Sequence, residues 1–295
     1  MSNHIKGIIY TALSAVIFGF TPILGRLTYP MGSNGITLTF LRGTLCLPIL
    51  FLLLKFKGIS LKLTRRELGF VILLGSIGCG FTTLLLYLSY SYQAVGLSTT
   101  LHFIYPAVIS VGCVFLFKEK LGILKLSALL FSMAGIFLSA DFHSSGSILG
   151  FLLALLSGFT YAFYVIFMDH SDLKNLNFFK LSFYVCLCMS ITAGLFGGIT
   201  GKLNLTFPPQ GWLLSLLVSL FTSLAALPLF QLGVRYCGAS TAAILSTLEP
   251  ITSMIVGVLV LEETFSLLKL SGGVLILISV VLIAASKKRP SIASE

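Results

Sequence analysis

The chain has 295 residues, of which 57% are hydrophobic and only 9% charged, and its formal net charge is +10. An ordinary soluble domain carries roughly 25% charged residues, so this composition excludes a water-soluble globule. The mean hydropathy of +1.04 indicates a protein that lives in a lipid bilayer.

Ten apolar segments follow one another along the chain, each close to the roughly 20 residues that a helix needs to cross a bilayer. In the first half they cover residues 5–27, 35–56, 68–90, 95–117 and 122–140. In the second half they cover residues 147–168, 178–200, 210–233, 238–260 and 267–286. We therefore predict an all-α integral membrane protein of ten transmembrane helices, with no room for a soluble catalytic or nucleic-acid-binding domain.

The basic residues between these segments predict the orientation of the chain. If the N-terminus is cytoplasmic, the inner side collects Lys6, Lys55, Lys57, Lys62, Arg65, Arg66, Lys118, Lys120, Lys125, Lys174, Lys180, Arg235, Lys287, Lys288 and Arg289. Only Arg26, Lys202 and Lys269 then lie outside. By the positive-inside rule we expect both termini in the cytoplasm and the chain in the inner (cytoplasmic) membrane. The basic loops are expected to meet the lipid bilayer and not nucleic acid.

An internal repeat relates the two halves of the sequence. A shift of 144 residues places Pro106 on Pro250, Glu119 on Glu263 and Lys125 on Lys269. Each unit carries five spans, an odd number, so the second copy enters the membrane from the opposite side. We predict two inverted five-helix repeats, residues 1–143 and 144–295. Inverted repeats recur in transporters, although duplication could also produce only a larger helical bundle.

Two repeat-related stretches make a resemblance to a known family specific. The sequence YQAVGLSTTLHFIYPAVISVGCVFLFKEKL spans residues 92–121, and YCGASTAAILSTLEPITSMIVGVLVLEETF spans residues 236–265. With their shared Pro and helix-end Glu, they resemble the EamA-type branch of the drug/metabolite transporter superfamily. The resemblance implies a ten-helix, two-repeat fold, cytoplasmic termini, and a central cavity lined by the first four helices of each half. It also implies movement of amino acids, other metabolites or drugs across the membrane.

Three ionisable side chains, Arg42, His102 and Glu249, lie well within apolar segments. A charge at the centre of a lone helix costs about 3 kcal/mol, so such residues usually face a cavity or a partner. Glu249 could carry the proton of a transport cycle or bind a cationic substrate group, or it could simply stabilise a broken helix. His102 could relay protons or act as a neutral hydrogen-bond partner. Arg42 could bind a carboxylate or serve as a structural tether.

Two prolines and several uncharged polar residues complete the predicted site. Pro106 and Pro250 should break the fourth and ninth helices and release the carbonyls of His102 and Ser246. A tyrosine in the interior is amphipathic and needs a partner, so it could line the cavity. The candidates of this kind, with one glutamine, are Tyr87, Tyr105, Tyr161, Tyr164 and Gln231. Gly75 and its neighbouring glycines are expected to allow close helix packing.

Other chemistries find little support in the sequence. There is no GxxxxGK[ST] phosphate loop and no HExxH or GxSxG motif, so we expect no ATP-driven transport by this chain, no enzyme activity and no cofactor. The six cysteines show no CxxC spacing and are expected to be buried, hydrophobic side chains, not metal ligands. We predict a secondary transporter of a small-molecule substrate, with amino acids or related zwitterions favoured, export as the direction and a proton as the coupling ion. A channel, a lipid- or drug-translocating protein and an intramembrane enzyme are the alternatives, and a monomer is favoured.

Overall fold

The computed structural model describes residues 2–139, 147–261 and 267–285, and this described part of the chain is helical without any β-strand. The connection between the fifth and sixth predicted spans, at residues 141–146, lies outside this described part, as do the basic residues Lys287, Lys288 and Arg289. The first four helical stretches, some of them built from several pieces, are α1 (Asn3–Phe18, Thr21–Thr28, Tyr29–Met31), α2 (Gly35–Thr44, Leu47–Phe56), α3 (Arg65–Leu73, Leu74–Phe81, Thr82–Ser89) and α4 (Val95–His102, Tyr105–Phe117). The fifth stretch is α5 (Ile123–Ser139).

Five further stretches follow in the second half. They are α6 (Ile148–His170), α7 (Phe178–Thr200), α8 (Pro209–Ser219, Leu220–Ala226, Leu227–Cys237), α9 (Ala239–Leu245, Leu248–Leu261) and α10 (Leu267–Ala285). Within the described residues, eight stretches are long and apolar enough to cross a membrane: α1 to α4 and α6 to α9. The helices α5 and α10 contain shorter apolar segments at the positions of the fifth and tenth predicted spans. The chain is thus an all-helical, multi-pass membrane protein, while the count of ten crossings and their inverted arrangement stay predictions.

Four of the stretches are interrupted near their middle, and a proline follows each interruption. Pro106 and Pro250 stand just after the breaks in α4 and α9, as predicted. Pro22 and Pro48 mark breaks in α1 and α2 that were not expected. Because proline lacks an N–H and its ring clashes with the preceding turn, the helix cannot run through these points.

The helices α3 and α8 are distorted in a different way, by wide π-helical turns. The turn in α3 covers Leu74–Phe81 and the turn in α8 covers Leu220–Ala226, positions that nearly coincide under the 144-residue shift. A Cβ on Gly75 would lie only 2.6 Å from the Cβ of Cys188, and one on Gly78 would lie 3.0 Å from the Cβ of Tyr164. The expectation that these glycines allow close packing is confirmed, because they let α3 approach α7 and α6.

Helices from the two halves of the chain pack against each other in several pairings, and four of these show how the halves correspond. Gly7 on α1 lies against Cys237 on α8, and Gly150 on α6 lies against Gln93 just after α3. The helix α2 packs on α7, where Gly43 meets the carbonyl of Cys186, and α5 packs on α10. The pairing α1–α8 becomes α6–α3 when the halves are exchanged, and the pairings α2–α7 and α5–α10 map onto themselves.

The connections between helices gather on two faces of the molecule. One, called here the basic face, holds residues 57–64, 118–122 and 171–177 and residue 238, and is linked by Lys180 Nζ donating to the Lys62 carbonyl at 2.5 Å. The other, called the opposite face, holds residues 29–34, 90–94 and 201–208 and residue 147. There Asn34 Nδ2 donates to the Lys202 carbonyl at 2.8 Å. Connections that the sequence predicts on one side of the membrane therefore lie on one face.

Candidate functional site

The interrupted helices place the predicted site residues near one another in the interior. Arg42 lies three residues before the break in α2, His102 ends the first piece of α4, and Glu249 is the second residue of the second piece of α9. A broken helix exposes backbone and side-chain polar groups at membrane depth, which is tolerated only where they face protein or a cavity. The breaks thus lie beside three ionisable groups of the transmembrane part.

Arg42 is the buried cation of this region, with only 9% of its surface exposed. Its Nη1 donates to the hydroxyl of Tyr87 at 3.3 Å, and its guanidinium lies 5.7 Å from the ring centre of Phe18. The Nε atom is buried and has no hydrogen-bond partner among the described residues. The α2 backbone here is fixed by Ser219, which donates to the carbonyl of Arg42 at 2.7 Å. Arg42 is therefore held in place with a donor to spare.

Glu249 is partly buried, and its carboxylate receives no hydrogen bond from any residue in the described ranges. Arg42 lies close enough to act on it through space, but the two form no ion pair, since Arg66–Asp172 at 3.4 Å is the ion pair found in the described residues. Tyr105 and Tyr161 also lie close enough to Glu249 to interact with its charge through space. A carboxylate with open acceptor sites thus stands near a guanidinium with an open donor.

His102 makes one hydrogen bond and three ring contacts. Its Nδ1 lies 2.9 Å from the hydroxyl of Ser157, which itself donates to the carbonyl of Ala154 at 2.6 Å. If the Ser157 hydroxyl hydrogen is used in that bond, Nδ1 of a neutral His102 carries the proton and Nε2 is left as an acceptor. The ring centre of Tyr105 lies 5.2 Å away and that of Tyr161 lies 5.5 Å away. His102 is thus part of a layer of packed aromatic rings between α4 and α6, called here the aromatic wall.

Aromatic rings from α4, α6 and α8 form that wall. Tyr105 and Tyr161 meet edge to face with ring centres 4.7 Å apart, and Tyr161 also stacks on Tyr164 at 5.7 Å. The hydroxyl of Tyr105 donates to Ser246 at 2.6 Å, because the Ser246 hydroxyl already donates to the carbonyl of Ala243. This bond joins the broken parts of α4 and α9 across the two halves.

Gln231 and Tyr164 form a separate polar chain behind the aromatic wall. Gln231 Nε2 donates to the Tyr164 hydroxyl at 3.1 Å, and its Oε1 accepts from Ser182 at 3.0 Å. Because the Tyr164 hydroxyl and both polar atoms of the Gln231 amide have partners, these two residues hold α6, α7 and α8 together and offer less to a ligand than Arg42 and Glu249 do.

One detail of the predicted helix breaks is wrong. The carbonyl of Ser246 is not simply released by Pro250, because the chain tightens into a shorter turn and Glu249 N donates to it at 3.0 Å. Sequence reasoning also missed Phe18, Ser157 and Ser182, which contact Arg42, His102 and Gln231. A small hydroxyl or a phenylalanine in an apolar span gives no signal until its neighbour in space is known.

A second cluster of ionisable groups lies at the basic face. Asp169 at the end of α6 accepts from the Ala239 N–H at 2.9 Å, and Glu119 accepts from the Ser240 hydroxyl at 3.2 Å. His170 lies beside these carboxylates and stacks on Phe117, with ring centres 3.4 Å apart. Both carboxylates thus bind the N-terminus of α9, where the helix dipole favours negative charge. They fasten α9 to α4 and α6.

Comparison with known proteins gives a consistent set of relatives. The model of the EamA-like transporter family matches residues 5–140 and again residues 148–285. An uncharacterized transporter of Synechocystis sp., sll1319, is 27% identical, and the alignment covers 99% of this chain and 97% of that protein. The uncharacterized inner membrane transporter YicL of Salmonella typhimurium is 26% identical, with 98% of each chain covered.

Two further matches extend this set. The uncharacterized transporter YojE of Bacillus subtilis is 26% identical over 88% of this chain and 87% of its own length. A solved crystal structure superimposes with a TM-score of 0.80 at 14% identity, covering 94% of this chain and 96% of that one. At this identity the likeness shows a shared fold and nothing about the substrate.

Proposed function

Because the chain belongs to the EamA-like transporter family and is a membrane transporter, not an enzyme, we propose that it is a secondary carrier that exports amino acids or related zwitterions in exchange for protons. The substrate binds in the interior between the two halves. Arg42 takes the substrate carboxylate and Glu249 takes its ammonium group. The rings of Tyr105 and Tyr161 contact the rest of the molecule.

The observation that carries this proposal is the pair of unsatisfied opposite charges at the helix breaks. Burying a charge without a partner is costly, so a stable site normally pairs it. Arg42 retains a free Nε and the carboxylate of Glu249 accepts no hydrogen bond from the described residues, yet the two side chains do not pair with each other. A zwitterion that carries both a carboxylate and an ammonium group would satisfy both residues at once.

Competition between a proton and a substrate ammonium group for Glu249 would account for proton exchange and for export. A carboxylate can hold either a proton or the ammonium group of a substrate, but not both. If each crossing carries one of the two, proton entry down its gradient drives the zwitterion in the other direction, out of the cell. His102, whose Nε2 is available as an acceptor, stands in the same wall and would pass protons to this region.

The pairing of helices supports alternating access through two inverted repeats, residues 1–143 and 144–295. Exchanging the halves converts one set of helix contacts into the other, as expected if the two halves can trade conformations. On the basic face, Glu119 of the first half binds Ser240 of the second. Such contacts between halves would have to break for the interior to open on that side.

The orientation is part of the same proposal. We place the basic face in the cytoplasm because its connections carry Lys57, Lys62, Lys118, Lys120 and Lys174, whereas those of the opposite face carry Lys202. Both termini are then cytoplasmic, and the membrane is the inner one, in line with the Salmonella relative's description. Labelling at each face, described in the Discussion, tests this placement.

Counterflow in proteoliposomes tests whether the protein is a carrier. Vesicles holding the purified protein are loaded with one unlabelled amino acid at millimolar concentration and exposed to a trace of the same labelled amino acid, over a panel of twenty. We expect transient accumulation of label above equilibrium for at least one amino acid, with a saturable rate. Flux without counterflow would identify a channel, chemical conversion of the solute would identify an enzyme, and no amino-acid flux at all would contradict the proposed substrate class.

A further inference from the structure

A cavity of about 340 Å³ opens at the opposite face, away from the central site. Its walls come from both halves of the chain: the start of α2, the end of α3, and the connection between α7 and α8. Cavities of roughly 300–1,000 Å³ are typical of small-molecule sites. The described structure therefore offers space for a second ligand.

Hydrogen bonds hold the walls of this cavity in place without any ligand. Asn34 Nδ2 donates to the Lys202 carbonyl at 2.8 Å, and Asn204 Nδ2 donates to the Gly32 carbonyl at 2.8 Å. Asn204 N also donates to the Thr37 hydroxyl at 3.0 Å. Because these bonds link the α7–α8 connection to both ends of the α1–α2 turn, the cavity is preformed.

The groups that line the cavity suit an anion and not a cation. None of its eight lining residues is acidic. The side-chain oxygen of Asn34 already accepts from Ile36 N and Thr37 N, and that of Asn204 accepts from Thr206 N. The ammonium of Lys202 has no acidic partner in the parts of the chain that the structure describes. The amide oxygens of Asn34 and Asn204 are thus occupied, while the ammonium of Lys202 has no acidic partner.

The remaining walls are apolar or aromatic. Leu88 and Tyr92 line the cavity together with the exposed Ser91. Leu88 directly follows Tyr87, the partner of Arg42. Asn34 precedes Arg42 by eight residues, which corresponds to about 12 Å along a helix. The cavity is therefore lined by the same two helices, α2 and α3, that carry Arg42 and Tyr87, and it lies nearer the membrane surface than these residues do.

We propose that this cavity is a second binding site, in which the ammonium of Lys202 holds the carboxylate of a small organic acid whose apolar body lies against Leu88 and Tyr92. It needs neither Glu249 nor proton coupling. A solute that carries a carboxylate would rest here on its way between the central site and the outside.

Thiol labelling of a reporter in the cavity tests the charge of the site. The variant Ser91→Cys is purified in detergent and treated with an anionic sulfonatoethyl or a cationic trimethylammonioethyl methanethiosulfonate. All six native cysteines are buried, so the unmodified chain gives the background. We expect Lys202→Gln in this variant to lower the ratio of anionic to cationic labelling rates about tenfold, a size set by the Coulomb energy of nearby charges at partial exposure. The matched change Arg26→Gln, at an exposed cation outside the cavity, should leave the ratio unchanged.

Protection by a ligand tests binding itself. Benzoate should slow the labelling of Ser91→Cys by the cationic reagent, benzylamine should not, and Lys202→Gln should remove the protection. An unchanged rate ratio in Lys202→Gln, or equal protection by benzoate and benzylamine, would overturn the proposal. Ser91 is exposed, so a cysteine fits at this position without displacing a packed neighbour. Since the assay measures no transport, its outcome is independent of the proposed exchange mechanism.

Discussion

Arg42 and Glu249 carry the electrostatics of the interior at the scale of single residues. Each is held by its helix near a break, and each keeps hydrogen-bonding capacity that the described residues do not use. The guanidinium has a planar fork of donors that matches a carboxylate, whereas an ammonium group is a point charge. Because of this difference, a change to lysine can test whether Arg42 binds the substrate carboxylate without removing the positive charge.

Arg42→Lys should weaken binding of a zwitterionic substrate about 10- to 100-fold, the loss expected when a charged, forked hydrogen bond of roughly 1.5–3 kcal/mol is removed. A decarboxylated amine of the same side chain should bind equally to both proteins, because it makes no bond to Arg42. Ligand titration by thermal shift measures both affinities. Arg26→Lys, at an exposed position, is the control, and an equal loss for acid and amine would assign Arg42 to the structure and not to the substrate.

The sequence pointed to the ionisable residues of the site because charges stand out in apolar spans. It did not reveal which of them meet. The bond from Tyr105 to Ser246 joins residues 141 positions apart, and Ser157 reaches His102 from another helix. Hydroxyl groups occur throughout transmembrane helices, so only the fold shows which ones partner a functional residue.

At the scale of elements, prolines and glycines decide the shape of the helices. Pro106 and Pro250 are predicted to break α4 and α9 because a proline inside an apolar span cannot donate the backbone hydrogen bond of a helix. The breaks after Gly19 in α1 and near Cys46 in α2 have no counterpart in the continuous helices α6 and α7, so the repeat gave no warning of them. The π-helical turns likewise depend on packing between helices and leave no pattern in one segment.

Gly35→Ala tests the close contact between α2 and α3. A Cβ at this position would lie 2.6 Å from the carbonyl carbon of Tyr87 and 2.7 Å from Leu88 N, and backbone atoms cannot rotate away. Overpacking of this kind costs about 1–3 kcal/mol, so the melting temperature in detergent should fall by several degrees. Gly96→Ala is the matched control, because a Cβ there meets nothing within 4 Å. Equal melting temperatures for the two variants would contradict the described packing.

At the scale of the whole molecule, the two faces differ in charge, and this difference sets the proposed orientation. Apolar length predicts ten membrane-spanning helices from sequence, since hydropathy depends on local composition alone, and eight of them are long and apolar enough to cross a membrane in the described residues. The relation between the halves depends on the packing α1–α8, α6–α3, α2–α7 and α5–α10, which no single segment encodes.

Cysteine labelling in intact cells tests the orientation. Thr206→Cys, exposed on the opposite face, should react with a membrane-impermeant maleimide, whereas Ser60→Cys, exposed on the basic face, should react only after the cells are opened. The buried native cysteines keep the background low. The reverse pattern would place the basic face outside, and labelling of both positions in intact cells would contradict their assignment to opposite sides.

The central claim is that Glu249 carries the proton that drives transport. Measuring substrate accumulation by the variant Glu249→Gln under a pH gradient tests this claim most directly. Glutamine keeps the size and most hydrogen bonding of glutamate but cannot take up and release a proton. Wild-type protein and variant are reconstituted, and one counterflow substrate is followed with and without a pH gradient. We predict that Glu249→Gln retains its wild-type melting temperature and still exchanges substrate, although with lower affinity, but no longer accumulates it in response to the gradient. A folded variant that accumulates substrate as the wild type does would contradict the role of Glu249 and make His102 the leading proton carrier.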